Sequence, residues 1–164
     1  MPVRKDLPAA PAFNFQFTIH MNNTNNNENT ANSGPSGTDF GPVIYQYTRS
    51  QAIADGFQIE VTKTAQEAGI RFPVFITRGV YEQCVAVPPG VTGQDEAGRL
   101  WDVVWMLRFA IIRSQPGTSR LTVALYVRNS DNRPPRLTKL IATAGAVDID
   151  DPAPAITVLL PDED

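Results

Sequence analysis

Gln94-Asp95-Glu96-Ala97-Gly98-Arg99-Leu100-Trp101-Asp102-Val103-Val104-Trp105-Met106-Leu107-Arg108-Phe109-Ala110-Ile111-Ile112-Arg113 is the stretch on which the fold turns. Wound at about 100° per residue, it places Asp95, Arg99, Asp102, Met106, Phe109 and Arg113 on one narrow side. Leu100, Trp101, Val103, Val104, Trp105, Leu107, Ile111 and Ile112 spread round most of the remainder. That is a single long helix with an apolar arc wide enough to need cover on more than one side. Leu100, Val104, Leu107 and Ile111 are expected to face a sheet, and Trp101, Trp105 and Ile112 to face short N-terminal helices or a partner. Arg108 falls between Val104 and Trp101, where a simple core helix would carry another aliphatic residue.

Downstream of this helix, Gln115-Pro116-Gly117 breaks the chain and three strand-like runs follow. Leu121 to Arg128 alternates, with Leu121, Val123, Leu125 and Val127 on one face. Leu137 to Thr143 and Ile156 to Leu160 are separated from it and from each other by turn-rich segments, which makes a meander the economical topology. Upstream, Thr48 to Gly56 reads as a short helix capped by Thr48 or Ser50 and stopped by Gly56. Phe57 to Val61 alternates as a strand. Thr64 to Gly69 makes one or two helical turns, with Thr64 and Glu67 spaced as a capping box. Pro73 is placed to open another helix, running through Val74 to about Ala86 and ended by Pro88-Pro89-Gly90. The expectation is an α+β fold: a small antiparallel sheet of three to five strands packed on a long central helix, with two or three short helices.

The 164 residues divide into an arm, 1–42, and one α+β domain, 43–164. Asn22 to Asn32 holds seven asparagines and is followed by Ser33-Gly34-Pro35-Ser36-Gly37, too polar to offset the entropy of ordering. Ahead of it, Phe13, Phe15, Phe17, Ile19 and Met21 alternate with Asn14, Gln16, Thr18 and His20, a strand pattern. This strand either pairs with an edge of the domain's own sheet or adds to the sheet of a partner; self-association through it is a further reading.

Composition narrows the chemistry. A net charge of −3 gives nucleic-acid phosphates little to attract, and the apolar Phe72 to Arg78 run makes a poor reading helix, so no sequence-specific nucleic-acid binding is expected. Arg108 interrupts the longest apolar stretch, so no membrane span is expected. The basic N-terminus lacks an apolar core behind it, and the lone Cys84 fits a reducing compartment; the expected location is cytoplasmic. One histidine and one cysteine cannot form a zinc site, so no metal, cofactor or catalytic residue is assigned. His20 sits on a polar strand face as a solvated side chain, and Cys84 reads as a small buried hydrophobe. Asp95, Glu96, Asp102 and Glu60 are the residues for the alternative, a metal-dependent nuclease or hydrolase. Their plainer roles are helix N-terminal charge and an Asp95–Arg99 surface pair.

Two features point to contact with another protein. Trp101, Trp105 and Arg108 belong to the residue types that dominate binding hot spots. The plainer account of Arg108 is an ion pair with Glu60 or Glu82, its stem packed on Trp101. The acidic C-terminus, Asp162, Glu163 and Asp164, suits a basic partner if the three lie together. The expected function is therefore non-enzymatic binding to a protein partner of unknown identity, through Trp101, Trp105, Arg108, Asp162, Glu163 and Asp164.

Arg71-Phe72-Pro73-Val74, Thr77-Arg78, Cys84 to Pro88, Gly93 to Met106, Arg128-Asn129 and Leu160 to Asp164 carry a further signal. From about residue 44 to the end, the chain resembles a family of small bacterial domains of unknown function encoded largely on plasmids, phages and other mobile elements. The resemblance implies no activity and no site residue. It implies a setting, the competition between mobile elements and their hosts, in which an inhibitor of a host defence system is one such role.

Overall fold

The computed structural model describes residues 47–163. The alternating segment 13–21 and Asp164 lie outside the described residues. Chain order is α1 (Arg49–Ala54), β1 (Gln58–Glu60), α2 (Thr62–Glu67), β2 (Val74–Thr77), α3 (Arg78–Val80) running on into a π-helical stretch (Tyr81–Val85), α4 (Glu96–Arg113), β3 (Arg120–Val127), β4 (Arg136–Ala146) and β5 (Pro154–Leu159). The fold is α+β. The five strands form one sheet in the order β1-β2-β5-β4-β3.

Strands β3, β4 and β5 form the expected antiparallel meander, but the sheet is mixed. β2 runs parallel to β5, pairing Val74 with Ile156 and Ile76 with Val158. That pairing overturns the helix expected from Pro73 to Ala86. Val74-Phe75-Ile76-Thr77 is buried on both sheet faces, a setting that suits β-branched residues, and the helix starts only at Arg78. Thr77 caps it, its hydroxyl accepting from the Val80 N–H at 3.2 Å.

The caps decide the other short helices. Thr48 and Gln51 form a reciprocal capping box that starts α1. Gly56, at φ +74°, then turns the chain into β1. The Thr64–Glu67 box expected for α2 does not form: the helix starts two residues earlier, behind Val61, with no side-chain cap.

One core lies between α4 and the sheet. Val103, Val104 and Leu107 of α4 meet Val123, Leu125 and Val127 of β3, Leu140 of β4, Val158 of β5 and Ile76 of β2, all buried. Leu100 and Ile111 are half-buried at its margin. Among the described residues no helix is long and apolar enough to cross a membrane.

Candidate functional site

Asp95 starts α4 by accepting from the Gly98 N–H at 2.8 Å, and Glu96 accepts from the Tyr81 hydroxyl at 2.9 Å. The Asp95 cap and the Glu96–Tyr81 bond orient a helix of 18 residues whose inner side is the core. Its outer side carries Trp101, Trp105, Phe109 and Ile112, exposed by 37, 47, 48 and 49% respectively. Spaced at four, four and three residues, they form one stripe along the helix. The two indole rings stack at 5.8 Å with planes 20° apart. The guanidinium of Arg108 lies 5.3 Å from the Trp105 ring, and that of Arg113 5.0 Å from the Phe109 ring.

The stripe is thus a continuous aromatic and aliphatic surface with cations laid on its rings, a geometry that both restrains the side chains and keeps the guanidiniums weakly hydrated. Arg108 stacks on Trp105, and among the described residues it makes no ion pair. Glu82 pairs instead with Arg78 at 2.9 Å, and Glu60 belongs to β1. Gly69, at φ +90°, makes room for this arrangement: a Cβ there would stand 3.3 Å from Arg108 Nε. The tryptophans were expected against N-terminal helices or a partner; α2 does pack against α4, yet each indole keeps more than a third of its surface exposed.

The inner side holds the charge that sequence reading placed outside. Arg99, expected in a surface pair with Asp95, is 5% exposed. Its Nε donates to the Cys84 carbonyl at 3.0 Å, and Nη1 to the Arg128 carbonyl at 2.9 Å and to Gln94 Oε1 at 3.1 Å. Nη2 donates to Asn129 Oδ1 at 2.6 Å. Asn129 in turn donates to the Gln83 carbonyl at 2.9 Å. One guanidinium therefore ties α4 to the end of β3 and to the π-helical stretch. Burial lowers its pKa, with Cys84 and Asp102 acting against that shift, and an arginine so placed stays charged. Burial pushes the neighbouring Cys84 thiol up to about 11, against the pull of Arg99, so the thiol is inert at neutral pH.

On the opposite sheet face a second arginine escaped sequence reading. Arg49 of α1 lies 4.4 Å over the Phe75 ring. It donates to Gln58 Oε1 at 2.7 Å, to Thr157 Oγ1 at 3.0 Å and to the Val147 carbonyl. Beside it is an open hollow of about 620 Å³, bordered by Phe57, Thr77, Arg78, Asp148 and Glu163 among others. Both carboxylates there have structural work. Asp148 accepts from the backbone N–H groups of Ser50 and Arg49, at 3.0 and 2.9 Å, and these bonds hold its carboxyl well below the usual range. Glu163 accepts from the Thr77 hydroxyl and the Leu160 N–H, each at 2.7 Å.

Of the six residues assigned to an interface, the structure brings Trp101, Trp105 and Arg108 together. Asp162 and Glu163 are both exposed, Glu163 being tied to Thr77 of β2 by its carboxylate. Asp164 lies outside the described residues. The four carboxylates of the enzymatic reading serve separate elements: Asp95 caps α4, Glu96 binds Tyr81, Asp102 is exposed on α4, and Glu60 is on β1. Among the described residues no group of three or more His, Cys, Asp or Glu side chains is placed to hold a metal ion. Phe109 and Ile112 complete the stripe; Ile112 was expected beside the tryptophans, whereas Phe109 was placed on the narrow side with Asp95 and Arg99, although its helical spacing from Trp105 is visible in the sequence. No protein-family model, curated protein or solved structure matches this chain.

Proposed function

We propose that this protein is a non-enzymatic binding module that occupies a protein partner through the outer stripe of α4. The observation that carries the reading is the line of Trp101, Trp105, Phe109 and Ile112, each more than a third exposed, with Arg108 and Arg113 stacked on its rings. Aromatic anchors with restrained rotamers lose little entropy on docking, and guanidiniums already stacked lose little hydration. Such groups carry most of the energy of protein interfaces. The acidic Asp162 and Asp164 extend the reading to a partner with basic character. An accessory role for a mobile genetic element, such as inhibition of a host defence system, is the setting the sequence resemblance supplies.

The test is site-specific photocrosslinking from position 112 in the native host, followed by binding measurements with the purified target. Trp105→Ala should weaken that binding at least about 30-fold, the loss of roughly 2 kcal/mol that marks a hot spot. A target whose affinity is indifferent to Trp101→Ala, Trp105→Ala and Arg108→Ala alike would overturn the reading.

A further inference from the structure

The outer stripe of α4 is complementary to itself. Trp101 and Ile112 stand at its two ends with Trp105 and Phe109 between them, and each of these pairs is centred close to position 107. Asp102 and Arg113 flank the stripe on one side, and both are exposed. They are eleven residues apart, three turns of helix, and therefore only about 20° apart around the axis. Their midpoint also falls close to position 107. Three pairs of unlike partners thus share one centre to within about 1 Å of helical rise.

A two-fold axis perpendicular to α4 at that centre lays a second copy of the helix antiparallel on the first. The same flank of each helix then meets, with its direction reversed. Trp101 of one copy faces Ile112 of the other, and Trp105 faces Phe109. Asp102 faces Arg113 twice, once at each end of the contact. A parallel pair would put this flank on opposite sides in the two copies, and the two charges would not meet. Among the described residues neither Asp102 nor Arg113 makes an ion pair within the chain. Arg113 lies 5.0 Å from the Phe109 ring, at the margin of the stripe.

Area and charge set the strength of such a contact. Between a third and a half of each stripe residue is exposed, which for side chains of this size leaves roughly 400 Å² per copy. With the flanking side chains the two copies together bury about 1,200 Å², the lower end of specific interfaces. Arg108 of each copy falls near the axis on the other flank, beside Gly69, where like charges oppose one another. Both terms favour a dimer that forms and parts in the micromolar range. We infer that the stripe takes a second copy of this chain, packed as an antiparallel α4 pair with reciprocal Asp102–Arg113 bridges. The inference rests on the reading of the stripe as a contact surface and adds a regulation to it. The stripe is covered when the chain is concentrated and open when it is dilute, and a target must displace the second copy.

Sedimentation equilibrium on the full chain tests this. Monomer and dimer should exchange in the micromolar range, with Trp105→Ala weakening association at least about 30-fold. Arg113→Asp, which sets two carboxylates face to face, should weaken it at least about tenfold. Because Asp102 also helps to keep Arg99 charged, the flank is probed without changing Asp102. In the Arg113→Lys chain, zero-length carbodiimide coupling should join position 113 of one copy to Asp102 of the other, as read by peptide mapping. The two positions are about 16 Å apart along one helix, too far for that bond within a copy. A chain that stays monomeric at about 100 µM would overturn the dimer. Crosslinks from position 112 to a different protein would in that case leave the stripe a contact surface with another occupant. A dimer indifferent to both Trp105→Ala and Arg113→Asp, or coupled from position 113 to an acid other than Asp102, would overturn the antiparallel pair.

Discussion

The two sides of α4 invert the usual arrangement of an amphipathic helix. Its buried side contains a cation, Arg99, with Val103, Val104 and Leu107. Its exposed side contains two tryptophans, a phenylalanine and an isoleucine. Solvation alone would exchange them, because an arginine loses hydration on burial and an indole gains by it. The inner arginine is tolerated because its three nitrogens have acceptors at 2.6–3.1 Å, all fixed by neighbouring elements. Among the described residues the outer aromatics keep 37–49% of their surface exposed, with cations laid on their rings in place of such acceptors. The contrast sets a buried cation held by the fold against exposed aromatics for which the binding function proposed above would be the reason.

The largest effect should come from the fold side. Leu107 is fully buried where α4 meets β3 and β4, so Leu107→Ala should cost about 3–4 kcal/mol in denaturant unfolding, through lost transfer energy plus the cavity left behind. Arg99→Ala should come next, at about 2–3 kcal/mol. It strips donors from the Cys84 and Arg128 carbonyls and from Asn129 together. Arg99→Lys should recover only part of this, since a compact ammonium cannot span three sites with the fork of a guanidinium. If Arg99→Ala were neutral, the cation would be a bystander and the contrast between the two sides would fail.

These two residues also mark the limit of what the sequence discloses. Leu107 could be assigned to the core from periodicity, and α4 itself was readable to within two residues because Asp95 is a local cap and the apolar repeat is long. The β3–β4–β5 meander was readable for the same reason: alternation and turn residues are local signals. Arg99 was not readable. Its acceptors are backbone carbonyls 15 and 29 residues away, and nothing in the spacing distinguishes a buried arginine from one paired with Asp95 on the surface. β2 failed differently. Val74 to Thr77 is a four-residue apolar run after a proline, too short for periodicity to choose between strand and helix, and its parallel partner β5 lies about eighty residues on. Its two β-branched residues besides Thr77, Val74 and Ile76, were the available hint. Arg49 was missed because its role depends on Phe75 and on the turn after β4, neither of which is near it in sequence.

A pH titration probes the buried side without changing its shape. The Cys84 thiol is raised to about 11 in the fold, against about 8.5 in an unfolded chain. An acid whose folded pKa is raised favours unfolding once the unfolded form can ionise. Stability should therefore hold up to about pH 8.5 and decline from there towards pH 11, by roughly 1–2 kcal/mol at pH 10. Chemical denaturation across pH 7.5–10 measures the decline, and Cys84→Ala should flatten it. A Cys84 thiol that reacts with a disulfide reagent in the folded protein at pH 7 would show instead that the interior beside Arg99 is open to water.

The smallest effect should lie on the outer side, where smallness is the point. Trp105 loses little contact with the domain when truncated, because nearly half of it already faces solvent and its ring stacks on Trp101 and Arg108 of the same helix. Trp105→Ser should shift unfolding free energy by no more than about 0.5 kcal/mol, the range of ordinary surface substitutions. The same change should reduce partner affinity far more than it reduces stability. A destabilisation of 2 kcal/mol or more would place Trp105 in the fold after all, covered by some part of the chain. The stripe would then be core, and the reason for assigning it to a partner would be gone.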